Sequence, residues 1–292
     1  MAKALAVVST AGMDRDEWLQ ARRRGIGGSD AAVIAGLDPF KSPIRLWMEK
    51  TGQVDEEPAG EAAHWGLLLE PIIAEEFTRR TGKRVRRRNA ILQHPEHPWM
   101  IANIDREVVG EPALLEIKTT SAWNRAAVSE DRLPDRYIIQ GQHYLAVTGR
   151  QRCYYAVLVG GQRLVITHVE RDEELIAQLI ELESEFWQHV VDGTPPTVDG
   201  SDDARELLDR LYPEADPESV AVLPPDAEEL IRVYHEAKAA EKQAAERRQE
   251  AENRLKALLG DHAIGRLNGV DVVTWKPVTQ ARLDTKRLKA ER

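Results

Sequence analysis

Over the first 190 positions, apolar residues recur with two different periods. A period near 3.6 predicts helices over 14–23, 29–35, 43–51, 60–81, 137–148 and 172–191. Runs of β-branched and aromatic residues predict strands over 85–92, 99–109, 113–119, 152–159 and 163–168. Interleaved helices and strands of this kind predict a mixed α/β domain over 1–192, with a central mixed sheet flanked by helices. No internal repeat of 20 to 50 residues is present.

The pattern changes after Asp192. Residues 193–225 are rich in Asp, Pro and Gly and read as an acidic linker holding one short helix over 204–211. A long uninterrupted helix is predicted over 226–259, with Asp226 as its N-cap and Gly260 at its end. Leu230, Ala237, Ala244, Ala251 and Leu258 recur every seven residues, but Glu241 and Arg248 occupy the second seam. That pattern suits a solvated helix and a partner-binding or oligomerisation arm equally. Asn268-Gly269 between two β-prone runs predicts a hairpin over 264–275, followed by a basic tail with Lys286, Arg287, Lys289 and Arg292.

Composition narrows the function classes. Of 292 residues 42% are hydrophobic, sufficient for a large core, and 40 Lys+Arg against 49 Asp+Glu give a net charge of −9. A uniformly basic nucleic-acid coat is excluded, whereas a local basic groove is not. The single cysteine, Cys153, excludes an intramolecular disulfide, a Cys-rich zinc site and a four-cysteine iron–sulfur cluster. No apolar run is long enough to span a bilayer, and Ala4–Val8 is too short for a signal segment, so a cytoplasmic location without membrane contact is expected.

The chemistry concentrates in 99–120. Two β-prone runs flank Gly110-Glu111, which predicts an antiparallel hairpin whose facing residue numbers sum to about 221. Asp105 then faces Glu116, and Lys118 lies two residues further on the same side, with Leu115 and Ile117 turned away. Opposed carboxylates repel, and a divalent cation such as Mg²⁺ or Mn²⁺ resolves the conflict while activating water for attack on a phosphodiester. A salt-bridged, solvated strand face is the alternative for Glu116-Ile117-Lys118 taken alone.

Other segments add to this constellation. Glu70 sits at the start of an apolar helical run, and Gln140 and Tyr144 lie one turn apart on a helix. Arg22-Arg23-Arg24-Gly25-Ile26-Gly27-Gly28-Ser29 is a glycine-rich turn entering a helix, suited to cradling phosphate. Arg79, Arg80, Lys83, Arg84, Arg86, Arg87 and Arg88 form a basic run without an intervening acid, read as a DNA-backbone contact. Trp123, just past the hairpin, either packs in the core or stacks on bases. His64, His94 and His97 match no standard zinc spacing and read as capping or surface residues.

In this order the motifs resemble the YqaJ-like viral recombinase family, related to lambda exonuclease within the PD-(D/E)xK nuclease superfamily, from about Arg22 to Val191. The most specific stretch is Gly25-Ile-Gly-Gly-Ser-Asp-Ala-Ala32 followed by Leu46-Trp47-Met-Glu-Lys50-Thr-Gly52. The superfamily's Pro-Asp is Ile104-Asp105 here. The resemblance implies a restriction-endonuclease-like core and a 5′→3′ exonuclease acting on linear duplex DNA to leave 3′ single strands for phage-type recombination. It implies that Glu70, Asp105, Glu116 and the carbonyl of Ile117 hold Mg²⁺, with two ions per site, that Lys118 is catalytic and that Gln140 orients the reacting group, supported by Tyr144. Arg22 and Ser29 would grip a 5′-phosphate, while Arg84, Arg86, Arg87, Arg88, Thr120 and Trp123 would contact DNA. It further implies a ring-shaped trimer, a single-strand annealing protein as partner, and a phage or prophage product in the bacterial cytoplasm. A RecB-like end-processing nuclease or endonuclease lacking an iron–sulfur cluster is one alternative. A non-catalytic DNA-end-binding scaffold is another.

Overall fold

A computed structural model describes residues 5–56, 60–214 and 218–275. The chain divides into two units, Met1–Ala215 and Asp216–Arg292. In the first unit a strand β1 (Leu5–Ser9) precedes three helices, α1 (Arg15–Arg23), α2 (Gly28–Ile34) and α3 (Pro43–Lys50), and the long α4 (Glu61–Thr81). Strands β2 (Val85–Arg86), β3 (Ala90–Gln93), β4 (Ile101–Ala102), β5 (Arg106–Val108) and β6 (Ala113–Thr120) follow. Then come α5 (Asp135–Thr148), β7 (Arg152–Val159), β8 (Arg163–Glu170), α6 (Glu173–Asp192) and α7 (Asp202–Leu211).

The central sheet has the order β2-β5-β6-β7-β8, antiparallel except for the parallel β6–β7 pair that α5 connects. It is the mixed, helix-flanked sheet expected. β6 is buried on both faces because a helix covers each. Leu115 and Ile117 pack with Ile73, Ala74 and Phe77 of α4, whereas Leu114 packs with Tyr144, Leu145 and Val147 of α5. Glu116 has the parity of Leu114 and so faces α5.

Two predicted strands are each broken in two. The 85–92 run yields β2 in the central sheet and β3 in a second, three-stranded sheet of order β1-β3-β4; the 99–109 run yields β4 in the second sheet and β5 in the central one. The chain changes sheet at Arg87–Asn89 and again at Asn103–Asp105. At the second crossing Asp105 leaves the ladder, and its carboxylate takes the Ile117 N–H in place of a backbone carbonyl, at 2.8 Å. β1, over residues weighed only as a leader, pairs antiparallel with β3.

The short helix of the acidic segment packs onto the first unit, which therefore extends past the boundary expected at 192. Ala204 and Leu207 of α7 join Leu46, Trp47 and Phe186 in one cluster. Asp203 accepts from the Ser42 N–H and hydroxyl, both at 2.7 Å, and from Arg45 Nε at 2.5 Å. Asp203→Ala is expected to lower unfolding free energy in urea by roughly 2 kcal/mol by removing the acceptor shared by the Ser42 N–H, the Ser42 hydroxyl and Arg45 Nε.

The second unit holds α8 (Ala227–Leu259) and the hairpin β9 (Ile264–Leu267) and β10 (Val270–Thr274). Asn268 and Gly269 carry φ of 49° and 82°, as the predicted two-residue turn requires. Leu259, the buried residue of α8, lies against Gly265, and Lys256 sits 4.3 Å from the Trp275 ring centroid. The basic tail beyond Trp275 lies outside the described residues. Among the described residues no helix is long and apolar enough to cross a membrane.

Candidate active site

The β5–β6 register pairs Arg106 with Leu115 and Glu107 with Leu114, a sum of 221 in each case. Gly110, with φ of 87°, sits in the turn that sets it. Asp105 lies one residue beyond the paired ladder, beside Glu116, with its carboxylate on the Ile117 N–H. Glu116 is 4% exposed, and its Oε1 accepts from Lys118 Nζ at 2.7 Å and Gln140 Nε2 at 2.8 Å. Gln140 also donates to the Tyr144 hydroxyl at 3.0 Å, and the Lys118 ammonium lies 5.5 Å from the Tyr137 ring centroid. Asp105, Glu116, Lys118, Gln140 and Tyr144 thus form one constellation.

Its electrostatics are unbalanced. Burial and the Glu116 carboxylate push the Asp105 carboxyl well above the ordinary range, and Lys118 and the Ile117 N–H offset this only in part. For Lys118 burial acts to lower proton affinity, but Glu116 and Asp105 outweigh it, raising the pKa and keeping an ammonium there. Burial, then Glu116 and Asp105, likewise keep the Tyr144 phenol protonated.

Glu70 lines the same cleft but faces other partners. Its Oε1 is held by the buried Arg106 guanidinium and by Arg87 at 3.3 Å, while Arg106 also donates to the Asp105 carbonyl at 2.7 Å. Among the described residues no three acidic, imidazole or thiol groups already converge as a metal cage. The donor chemistry nevertheless suits a hard cation: two carboxylates meet at the cleft floor with too little positive charge between them.

The glycine-rich turn lies beside this floor. Arg22 Nη2 donates to Ser29 Oγ at 3.1 Å and Asp30 Oδ1 at 3.2 Å, and its guanidinium stacks 4.7 Å from the Trp18 ring centroid. The Gly27 N–H donates to Asp30 Oδ2 at 3.0 Å. Lys50, quoted in the sequence motif without a role, donates to Asp30 Oδ2 (2.7 Å) and to the carbonyls of Arg22 (2.9 Å) and Gly25 (2.6 Å). Burial alone would raise the Asp30 carboxyl, yet Lys50 and Arg22 hold it well below the ordinary range. A cleft of about 530 Å³ reaches Arg22, Glu70, Asp105, Glu116 and Lys118. It shares residues with a 220 Å³ recess at Ser29, Gln140 and Tyr144 and with a 240 Å³ basic recess at Arg87, Arg88 and Arg106.

The basic run is less free than its sequence suggests, because folding brings acids to it. Arg79 and Arg80 bind Glu76 at 2.6 Å, Lys83 pairs with Glu111, and Arg86 and Arg88 lie 2.8 Å and 3.9 Å from Glu107. Arg84 is exposed and has no side-chain partner among the described residues. Trp123 is 95% exposed, which removes the core-packing reading. Thr120 accepts from Asn124 at 2.8 Å. His94 Nδ1 accepts the N–H groups of Glu96 and His97, a turn-capping role as expected. The buried Arg106 and Glu107 escaped the sequence reading; adjacent opposite charges inside a strand buried on both faces were the available signal.

This mixed α/β architecture is shared with a solved nuclease. The alkaline exonuclease LHK-Exo of Laribacter hongkongensis superposes with a TM-score of 0.53 at 23% identity, covering 68% of this chain and 100% of that one. Its complex with dAMP gives 0.53 at 25% identity, covering 68% and 98%. The description of the YqaJ-like viral recombinase domain matches residues 17–151. An uncharacterized protein, YqaJ, of Bacillus subtilis strain 168 is 44% identical over 291 residues, covering 98% of this chain and 91% of its own. A protein of African swine fever virus is 29% identical over 160 residues, covering 46% of this chain and 45% of its own. The chain belongs to the YqaJ-like viral recombinase family.

Proposed function

We propose that the protein is a divalent-metal-dependent exonuclease that degrades linear duplex DNA 5′→3′ and leaves 3′ single strands for recombination. The observation that carries this reading is the contiguity of a paired-carboxylate floor with a phosphate-sized cradle: Asp105, Glu116 and Lys118 share one cleft with Arg22. Asp105, Glu116 and the Ile117 carbonyl would hold Mg²⁺ or Mn²⁺, and Glu70 would join a two-ion set through its oxygen not engaged by Arg106. When bound, such an ion polarises the phosphodiester and lowers the pKa of the attacking water. Lys118, charged through its carboxylate neighbours, orients that water and offsets charge on the phosphoryl oxygens. Gln140 holds Glu116 in its rotamer. Arg22 and Ser29 receive the 5′-phosphate, and Arg84, Arg86, Arg87, Arg88, Thr120 and Trp123 flank the duplex.

Family resemblance adds a ring-shaped trimer, a single-strand annealing partner and a phage-derived origin in the bacterial cytoplasm to the proposal. The deciding experiment incubates linear, nicked and closed-circular duplexes, labelled at either end, with Mg²⁺ or EDTA. Mg²⁺-dependent release of 5′ label from linear DNA is expected; cutting of closed circles or 3′ release would reject the assignment.

Arg22 provides a narrower test. Ends bearing a 5′-phosphate are expected to be degraded about tenfold or more faster than 5′-hydroxyl ends, since a charge-assisted bond contributes about 1.5–3 kcal/mol. Arg22→Met should erase that ratio, and equal rates for the two ends in the unmodified protein would remove Arg22 and Ser29 from the site.

A further inference from the structure

His143 lies on α5 three residues from Gln140 and takes no part in the chemistry above. Its side chain and that of Glu183 on α6 are both 0% exposed. Nε2 lies 2.9 Å from the Ile101 carbonyl oxygen and Nδ1 lies 2.8 Å from Glu183 Oε1. A carbonyl oxygen only accepts, so Nε2 must carry hydrogen; with a carboxylate at the other nitrogen, both ring nitrogens donate. Burial acts against the charged ring, but Glu183 more than offsets it and raises its pKa. The second Glu183 oxygen is buried without a partner, so His143 is the group that holds this carboxylate among the described residues.

The bond to Ile101 leads directly to the glycine-rich turn. The Ile101 N–H donates to the Ile26 carbonyl at 2.9 Å, and the Ile26 N–H donates to the Trp99 carbonyl at 2.7 Å. Ile26 stands between Gly25 and Gly27, and a Cβ on Gly25 would lie only 2.6 Å from the Trp99 carbonyl oxygen. The turn is therefore seated tightly on β4, where the Ile101 N–H meets the turn and the Ile101 carbonyl, in the next peptide unit, is fixed from behind by the imidazole. Lys50 ties the same turn from its other side through the carbonyls of Arg22 and Gly25.

We propose that His143, backed by Glu183, is a positioning residue for the 5′-phosphate site, holding through its carbonyl the residue Ile101, on whose N–H the Gly25–Ser29 turn is registered. Its functional consequence rests on the phosphate-gripping role given to that turn; the structural link does not.

Three proteins separate the link from ordinary core packing. In H143L/E183M two apolar side chains of similar size replace the buried pair, a change that leaves stability near neutral or improves it. In E183Q the amide donates to Nδ1, and a neutral ring keeps its Nε2–H on Ile101. Hydrogen exchange of the 25–30 segment, measured without DNA or metal, is expected to be at least about tenfold faster in H143L/E183M and unchanged in E183Q. Wild-type exchange in a folded H143L/E183M, or an E183Q as fast as the double variant, would overturn the proposal. Nitrogen NMR of the wild-type imidazole decides the case should the double variant not fold: protons on both nitrogens are expected, and a ring lacking the Nε2 proton overturns it. Metal-free affinity for 5′-phosphate relative to 5′-hydroxyl duplexes then reads the consequence. H143L/E183M should lose the preference and E183Q keep it. A wild-type protein without any preference would sink the phosphate role of the turn while the exchange result still judged the link.

Discussion

Asp105→Asn is expected to abolish cleavage, by on the order of 10³-fold, and at the same time to make the metal-free protein more stable. Both effects have one cause. In the folded chain burial and the facing Glu116 raise the Asp105 pKa, whereas in the unfolded chain the carboxyl titrates near about 3.9. A carboxyl that binds its proton more tightly when folded weakens the fold once ionised. The wild-type protein in EDTA should therefore gain stability as pH falls from neutrality through the raised pKa, down to the unfolded value. Asparagine carries no charge and can still accept the Ile117 N–H through its amide oxygen. The variant should melt roughly 2–4 °C higher near pH 7, corresponding to about 1 kcal/mol for a domain of this size, and lose that pH dependence. Mg²⁺ or Mn²⁺ should raise the melting temperature of the wild type and not of the variant. Calorimetry in EDTA and in Mg²⁺ checks each arm; a variant less stable than wild type in EDTA at neutral pH would refute the electrostatic account of the site.

The nearness of Asp105 to Glu116 was legible in the sequence because it follows from a short turn: one register fixes the facing pairs of the hairpin up to Arg106, and Asp105 is the next residue. The Asn268-Gly269 turn was legible for the same reason. Contacts set by packing between distant segments were not. Glu70 meets Arg106 across 36 positions, Arg86 meets Glu107 across 21, and His143 meets Glu183 across 40. The first and last depend on how α4 and α6 dock, and the second on which strand β2 pairs with, all of which periodicity leaves open. The short helix over 204–211 was visible as a helix, but its attachment through Asp203 to Ser42 spans 161 positions. The broken strands failed for another reason. Residues 85–92 and 99–109 have continuous β propensity, and the change of sheet at Arg87–Asn89 and Asn103–Asp105 leaves no Gly or Pro as a marker. That double crossing is what releases Asp105 from the ladder beside Glu116.

Gly28→Ala is expected to cost far more than the same methyl group added one residue earlier, at Gly27. A Cβ on Gly28 would lie 2.5 Å and 2.9 Å from ring atoms of Tyr144 and 3.0 Å from Cγ of Gln140. Both contacts fall on one face of α5, and neither side chain can yield freely. Gln140 is tied to Glu116 and to the Tyr144 hydroxyl, and Tyr144 is 6% exposed. Relief must come from α2 backing away from α5, which moves Ser29, or from Gln140 releasing Glu116. Overpacking of this kind costs about 1–3 kcal/mol, and a misplaced catalytic group costs roughly 10²-fold in rate. Gly27 supplies the control. Its Cβ would meet Asp30 at 3.6 Å and Arg22 at 3.8 Å, ordinary contact distances. With φ of −92° its backbone is one that alanine adopts without strain. Gly27→Ala should therefore keep near-wild-type stability and turnover while its neighbour loses both. Urea unfolding and single-turnover digestion of a 5′-phosphorylated duplex measure the contrast. Equal tolerance at the two positions would mean that the close approach of α2 to Gln140 and Tyr144 is not what holds Glu116 in place.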